Sequence, residues 1–506
     1  MAGYTENYRD LADRPAVRQG DRTLTYGDLH QRSSRLASVL RADGLAPGGR
    51  LAVMLPNRVE FLECLAASAK LECSALSINW HLAAPELAYV LTDSGAGALV
   101  ADDSLRDVVE AAGASCPVLY VDDDSPTGYE ARLAGAGSDD LPTPWPCSWP
   151  VIYTSGTTGR PKGVVHGALA DPEVLRATQE GLVALWGYRP GDVHVVAGPL
   201  YHAGPQGYAA LTLYAGGTVE LLGAWDASEF LRVVEERSGT TSFLTPAHFI
   251  RLLEVPEDER SRRDLGSLRH VIHAGAPCPV GVKRRIIEWW DHTEVWEVYG
   301  MSEGGATRVS AIEWLERPGT VGLPWPGTEV RILDPTTLEP VGPGVDGLIY
   351  VRPPRGRFHY HDDPEKTDGA WHGDAFTVGD VGHLDAEGWL HLTDRVADLV
   401  IKGGVNVYPR TVEDVLHDHP AVVDCAVFGV PHPRDGEHLY AVVELRSGVD
   451  PDQVVGDLLD RCRERLDPWS CPSSVEVVDE LPRDPNGKVL KRHLREAHWA
   501  DSERRI

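Results

Sequence analysis

The strongest constraint on how this chain folds is a repeated local pattern: an amphipathic helical stretch, a break, then a short apolar run. TYGDLHQRSSRLASVLRADG (residues 25–44) puts Leu29, Leu36 and Leu40 at helical spacing and reaches Gly44, which suits a helix end. RLAVMLPN (50–57) follows as a short buried strand. PELAYVLTDSGAGALVAD (85–102) repeats the pattern with Pro85 near the helix start, as do residues 226–246 and 279–300. Alternating helices and strands pack as layers, so the fold class is α/β. From about Thr320 the texture changes. GTVGLPWPGTEVRILDP, DGLIYVRPP and GWLHLTDR read as short strands broken by Gly and Pro, hence β-rich. After Arg395 a smaller α+β unit begins, with TVEDVLHDHPAVVDCAVFGVP as a helix and then a strand. The domain boundary is expected at Asp394–Arg395, dividing the chain into 1–394 and 395–506. There are no repeats and no low-complexity segments.

Length and composition agree. A chain of 506 residues exceeds one core, and about two to four domains are expected. The 42% hydrophobic and 25% charged residues are those of a globular protein, and the net charge of −28 argues against a nucleic-acid or anionic-membrane partner. Any phosphate ligand therefore needs a local positive field. The eight cysteines are scattered without metal-ligand spacing and read as free thiols of a cytoplasmic protein. No signal peptide, apolar stretch long enough to span a membrane, or C-terminal targeting signal is evident.

One loop stands apart. YTSGTTGRPKG (153–163) crowds hydroxyls, glycines and a lysine together, a composition suited to a polyanion. It is not a nucleotide-binding P-loop: two residues separate Gly159 from Lys162, and no Ser or Thr follows the lysine. GMSEG (300–304) has the spacing of a hydrolase nucleophile elbow, but EGGATRVS after the serine is a poor helix start, and the elbow needs a helix there.

YTSGTTGRPKG resembles instead the phosphate-binding signature of the adenylate-forming superfamily: acyl-CoA synthetases, luciferases and peptide-synthetase adenylation domains. HAGAP (273–277) resembles that family's adenine-side turn. EVYGMSEGG (297–305) resembles its aromatic-Gly-x-Thr-Glu motif, with Ser302 in place of Thr. TVGDVGHLDAEGWLHLTDR (377–395) resembles its ribose and linker motif, and LPRDPNGKVLKR (481–492) its lysine loop. Together in order they are specific, and closest to acyl-CoA synthetases. The resemblance implies a large N-terminal domain of two α/β sheets plus a β-rich subdomain, and a small mobile α+β C-terminal domain.

It also implies roles. The activity would be ATP-dependent conversion of a carboxylic acid to an acyl-adenylate, then thioester formation with coenzyme A. Thr154, Ser155, Thr157 and Thr158 would offer hydroxyls to the phosphates, Gly156 and Gly159 their N–H groups, and Lys162 its charge. Glu303 would hold Mg2+, which favours one or two carboxylates beside phosphate and water. Ser302 would face the α-phosphate. Tyr299 would stack on adenine, flanked by Gly275, Ala276 and Pro277, with Glu297 accepting from its amine. Asp380 and Arg395 would hold the ribose. Lys488, in a turn of the second domain, would stabilise charge at the α-phosphate.

His202 would lie by the acyl carboxylate. The segments around the expected acyl pocket are mostly small and apolar (Ala203, Gly204, Gly207, Ala209, Ala274, Gly304, Gly305), and no Lys or Arg stands out to pair with a second carboxylate, Arg308 being the one exception without a place; the implied substrate is a hydrophobic acid with room to spare. Arg352, Arg355 and Arg357 are candidates for coenzyme A phosphates against the plainer reading of a solvated loop. The family hinge, usually Asp or Lys, is Ala397. An impaired domain swap would make the chain an enzyme that passes its adenylate to another enzyme or a carrier protein.

Overall fold

The computed structural model describes residues 8–137, 141, 151–154, 162–166, 171–354, 356–395, 398–403, 405–485 and 487–499. The expected helix–strand units form where local signals specify them. The helix Tyr26–Ala42 opens on a reciprocal cap: Asp28 N–H donates to Thr25 Oγ1, and Thr25 N–H donates to the Asp28 carboxylate. Its apolar stripe of Leu29, Leu36, Val39 and Leu40 is buried in the first core cluster. Removing the Leu36 side chain there should cost about 2–5 kcal/mol.

Among the described residues there are three sheets. A seven-stranded sheet runs Phe358–Tyr360, Lys162–His166, Val151–Thr154, Ser74–Ser77, Arg50–Met54, Ala98–Asp102, Val118–Val121. A fifteen-stranded sheet has a parallel centre built from Thr218–Leu221, Val193–Val196, Thr241–Leu244, His270–His273 and Glu294–Met301. It continues antiparallel through Gly304–Ser310 and Thr320–Pro324 into the β-rich strands Leu390–Arg395, Asp380–Leu384 and Gly347–Arg352. A five-stranded sheet holds Val405–Val407, Val400–Lys402, Gly436–Leu445, Val422–His432 and Ser474–Val478, with the helices Pro409–His417 and Pro451–Arg465 in its core.

The parallel centre positions the site. Side chains alternate between its faces, and loops that leave the carboxyl ends of neighbouring parallel strands gather at one edge. The loops after Val196, Leu244, His273 and Met301 carry His202, Thr245, Gly275 and Glu303 to that edge. Glu294–Met301 is followed by a turn and an antiparallel strand, not a helix, so the elbow geometry that GMSEG would need is absent.

Candidate active site

The strands on either side of the glycine-rich loop, Val151–Thr154 and Lys162–His166, pair antiparallel. Thr154 pairs with Lys162, so the two stems bring the loop's ends together. Ser155, Gly156, Thr157, Thr158 and Gly159 lie outside the described residues. Lys162 holds its ammonium 4.8 Å from the ring centre of Tyr360. Tyr360 reaches this hairpin because Phe358–Tyr360 pairs with Lys162–His166. Its hydroxyl donates to Glu303 Oε1 at 2.8 Å, and Glu303 itself is nearly buried. Burial and the Glu303 charge push the phenol well up, so it stays a donor. His166 Nε2 lies 2.9 Å from the Ser302 carbonyl; a carbonyl only accepts, so Nε2 carries the proton. Burial lowers the His166 pKa, which keeps the ring neutral. The corner thus offers one oriented carboxylate with an oxygen not bonded to Tyr360, a donor set that suits Mg2+ beside phosphate oxygens.

Asp380 and Arg395 face each other across a strand pair. Arg395 Nε donates to Asp380 Oδ1 at 2.8 Å, and the Tyr299 hydroxyl donates to Oδ2 at 2.7 Å. Tyr299 is therefore tied to Asp380 by its hydroxyl. Gly275, at φ +91°, makes the turn after His270–His273 that leads into Ala276 and Pro277; a side chain there would be strained. Glu297 is committed elsewhere on one side: its Oε2 receives Lys283 Nζ at 2.5 Å, and Lys283 is fully buried. An adenine amine would have to use the other oxygen.

Lys488 arrives from the far end of the chain. Arg483 and Val489 pair across a tight turn; Lys488 N–H donates to Asp484 Oδ1 at 2.9 Å, and Gly487 N–H to the Asp484 carbonyl at 2.8 Å. Gly487 has φ +84°, and a Cβ on it would meet Ala247 Cβ at 2.5 Å, so the turn is seated on the start of the helix Pro246–Glu254. Lys488 is exposed to solvent, yet much protein surrounds it. That crowding, then the Arg395 charge, lowers its pKa, while Asp484, Asp398 and Asp380 oppose the shift. Asp484 also acts on His202, which stands at the N-terminal end of the helix Ala203–Tyr214. Burial lowers the His202 pKa to about 4, with Asp484 opposing, and its Nε2 meets no partner among the described residues. A neutral, uncommitted imidazole beside the lysine turn can bind a carboxylate oxygen.

The acyl side corrects one expectation. A Cβ at Gly204 would strike the Phe243 ring at 2.5 Å, and one at Gly305 would meet Trp325 at 3.1 Å, so the room those glycines leave is filled by aromatic rings. At Gly207 an added Cβ meets nothing within 4 Å, so space remains there. Tyr208 stacks on Phe243 with ring centres 5.2 Å apart, and also neighbours Trp186 at 6.2 Å and Tyr188 at 6.4 Å. The surroundings of these glycines are aromatic rather than merely small. Arg352 pairs with Glu329, and Arg357 donates to the Gly373 carbonyl and covers Trp371, while Arg355 and Ala397 lie outside the described residues.

Sequence reading missed Tyr360, His166, Asp484 and Lys283. Tyr360 and His166 reach the site on paired strands, Lys283 from the helix Val280–Trp289, and Asp484 from within the lysine turn itself.

Comparison with known proteins agrees with this geometry. A family model described as AMP-binding enzyme matches residues 5–356, and one described as AMP-binding enzyme C-terminal domain matches residues 411–488. The chain is 36% identical over 487 residues to a feruloyl-CoA synthase of an Amycolatopsis species, covering 95% of each. It is 33% identical over 506 residues to the fatty acid–[acyl-carrier-protein] ligase ScoC of Streptomyces coeruleorubidus, covering 97% of this chain and 95% of that protein. The crystal structure of ATP-bound MatB from Rhodopseudomonas palustris superposes with a TM-score of 0.84 at 32% identity, covering 99% of this chain and all of that one. The chain belongs to the AMP-binding enzyme family of adenylate-forming ligases.

Proposed function

We propose that the chain activates a largely hydrophobic carboxylic acid with ATP, releasing pyrophosphate, and transfers the acyl group from its adenylate to coenzyme A. The observation that carries this reading is the seat of Lys488: its turn rests on Ala247 and its ammonium feels Arg395 and Asp380. A carboxylate is a poor electrophile until its oxygen becomes a good leaving group. Attack of the acid's oxygen on the α-phosphate, with departure of pyrophosphate, supplies one. Lys488 is the cation for the charge gathered there; Asp380 and Arg395 orient the ribose, and His202 orients the acid. Glu303, held by Tyr360, would hold Mg2+, which when bound neutralises phosphate charge.

The rings of Phe243, Tyr208 and Trp325 favour a flat or slender acid over a bulky one. We also propose that residues 395–506 move as a unit about the segment holding Ala397, and that the seven free thiols among the described residues serve a cytoplasmic protein. No helix among the described residues is long and apolar enough to cross a membrane.

Carboxylate-dependent exchange of pyrophosphate into ATP, screened over a panel of acids with and without coenzyme A, tests the reading. Exchange with no acid would remove it. A second reading has support in the relative named as a carrier-protein ligase: the acceptor is a carrier protein or partner enzyme. Rapid quench with saturating coenzyme A separates the two. Accumulating acyl-adenylate, drained faster by Ala397→Asp, favours the second; thioester appearing at the adenylation rate favours the first.

A further inference from the structure

Arg308 has no place in the machinery described so far. It sits on the strand Gly304–Ser310, directly opposite Val298. Opposed residues of an antiparallel pair share a face, so Arg308 lies on the same sheet face as Val298 and Trp296. Its guanidinium carbon stands 4.8 Å from the ring centre of Trp296 and 5.5 Å from that of Trp186. Stacking uses the face of a guanidinium and leaves its five edge N–H donors available. Among the described residues no carboxylate or carbonyl accepts from them. Glu313 is the acidic group whose charge reaches it, and Glu313 Oε2 is already spent on the Ser310 N–H and hydroxyl. Burial lowers the Arg308 pKa, with Glu313 opposing, so the cation is held partly out of water at some cost.

The same rings lead back to the reacting end. Trp186 touches Tyr208, Tyr208 stacks on Phe243, and Phe243 fills the space at Gly204, two residues from His202. At Gly207, next to Tyr208 in the chain, an added Cβ would meet nothing within 4 Å. His202 and Arg308 therefore stand at opposite ends of one aromatic wall.

We propose that Arg308 is a specificity-determining residue that binds a second, anionic oxygen group at the far end of the acid, a distal carboxylate above all. This deepens the acid-activating reading and rests on it. The preferred substrate then has an apolar middle that lies along the rings and a carboxylate at each end. One end meets His202 and becomes the adenylate; the other makes charge-assisted bonds to Arg308.

Matched acids test this: octanoate against octanedioate, and cinnamate against 4-carboxycinnamate, each in pyrophosphate exchange. The wild type should favour the dicarboxylate of at least one pair by about tenfold or more in kcat/KM. Arg308→Gln should abolish that preference by raising KM for the dicarboxylate about tenfold or more, while the monocarboxylate stays within about twofold. Arg308→Lys should keep part of the preference. A wild type that prefers the monocarboxylate in both pairs overturns the proposal, as does an Arg308→Gln that slows both members equally, since Arg308 would then only cap the tryptophans. Calorimetric titration of the acids without ATP separates this from the parent reading. Arg308-dependent dicarboxylate binding without exchange keeps Arg308 and removes the ligase; exchange with monocarboxylates alone does the reverse.

Discussion

In the proposed reaction Lys488 and Glu303 carry opposite charges to the same nucleotide; Arg395 acts on the first and the Tyr360 hydroxyl positions the second. Lys488→Ala removes one oriented cation from the transition state and should slow adenylation about a hundred- to a thousandfold. Thioester formation from supplied acyl-adenylate should suffer much less; equal loss in both half-reactions would remove the assigned role. The pH profile carries a second signature. Crowding and Arg395 lower the Lys488 pKa, so the ammonium is lost at a lower pH than for an ordinary lysine. Adenylation kcat/KM, which reports the free enzyme, should fall on the alkaline side as pH rises through that lowered value. In kcat the limb should lie higher, because bound ATP adds negative charge that favours the ammonium. Lys488→Arg should remove the limb from both. Glu303 is positioned by the Tyr360 hydroxyl, so Tyr360→Phe keeps the ring against Lys162 but loses the bond. The Mg2+ concentration for half-maximal rate should rise about tenfold, the scale of one hydrogen bond to a charged group. An unchanged Mg2+ dependence would show that Tyr360 does not position Glu303.

At the scale of elements, the lysine turn is a fitted part. Gly487 needs a left-handed backbone and leaves no space for a methyl group against Ala247. Gly487→Ala meets two penalties: about 1–2 kcal/mol of backbone strain wherever the turn is, and a clash only when it is seated. Adenylation should fall tenfold or more, and further than thioester formation. Ala247→Gly in the same chain should restore part of adenylation by relieving the clash. Failure of that rescue would mean the turn does not rest on Ala247 during the first step.

Across the whole molecule, the seat of the small sheet is reinforced by charge. Arg251, on the helix Pro246–Glu254, donates to Glu444 of the small sheet at 2.8 Å and lies 3.6 Å from Glu480. Arg483 also binds Glu444 but pairs with Asp424 at 2.6 Å, so Arg251→Ala breaks the bridge between the parts and spares the small sheet's own pair. Arg251 is partly solvated, so the bridge is worth about 1 kcal/mol or less. Adenylation should slow a few-fold in the variant and lose part of its salt dependence, with thioester formation unchanged or faster. A loss confined to the second step would mean that this arrangement is not the adenylating one.

The sequence by itself determined what local chemistry can specify. Thr25 and Asp28 cap a helix because the cap lies within one turn, and Leu29, Leu36 and Leu40 mark its buried face. The glycine-rich loop, GMSEGG and RDPNGK are legible because each needs several special residues in a row. Only the tertiary structure decided which partners those pieces meet. Nothing near Glu303 in the chain announces Tyr360, and nothing near His202 announces Asp484. Gly204 and Gly305 read as room until Phe243, from the strand Thr241–Leu244, and Trp325, just after the strand Thr320–Pro324, filled it, and Arg308 read as misplaced until Trp186 and Trp296 closed around it. Periodicity and composition say which face of an element is buried, but strand order and side-chain packing choose what it is buried against, and those are properties of the whole chain.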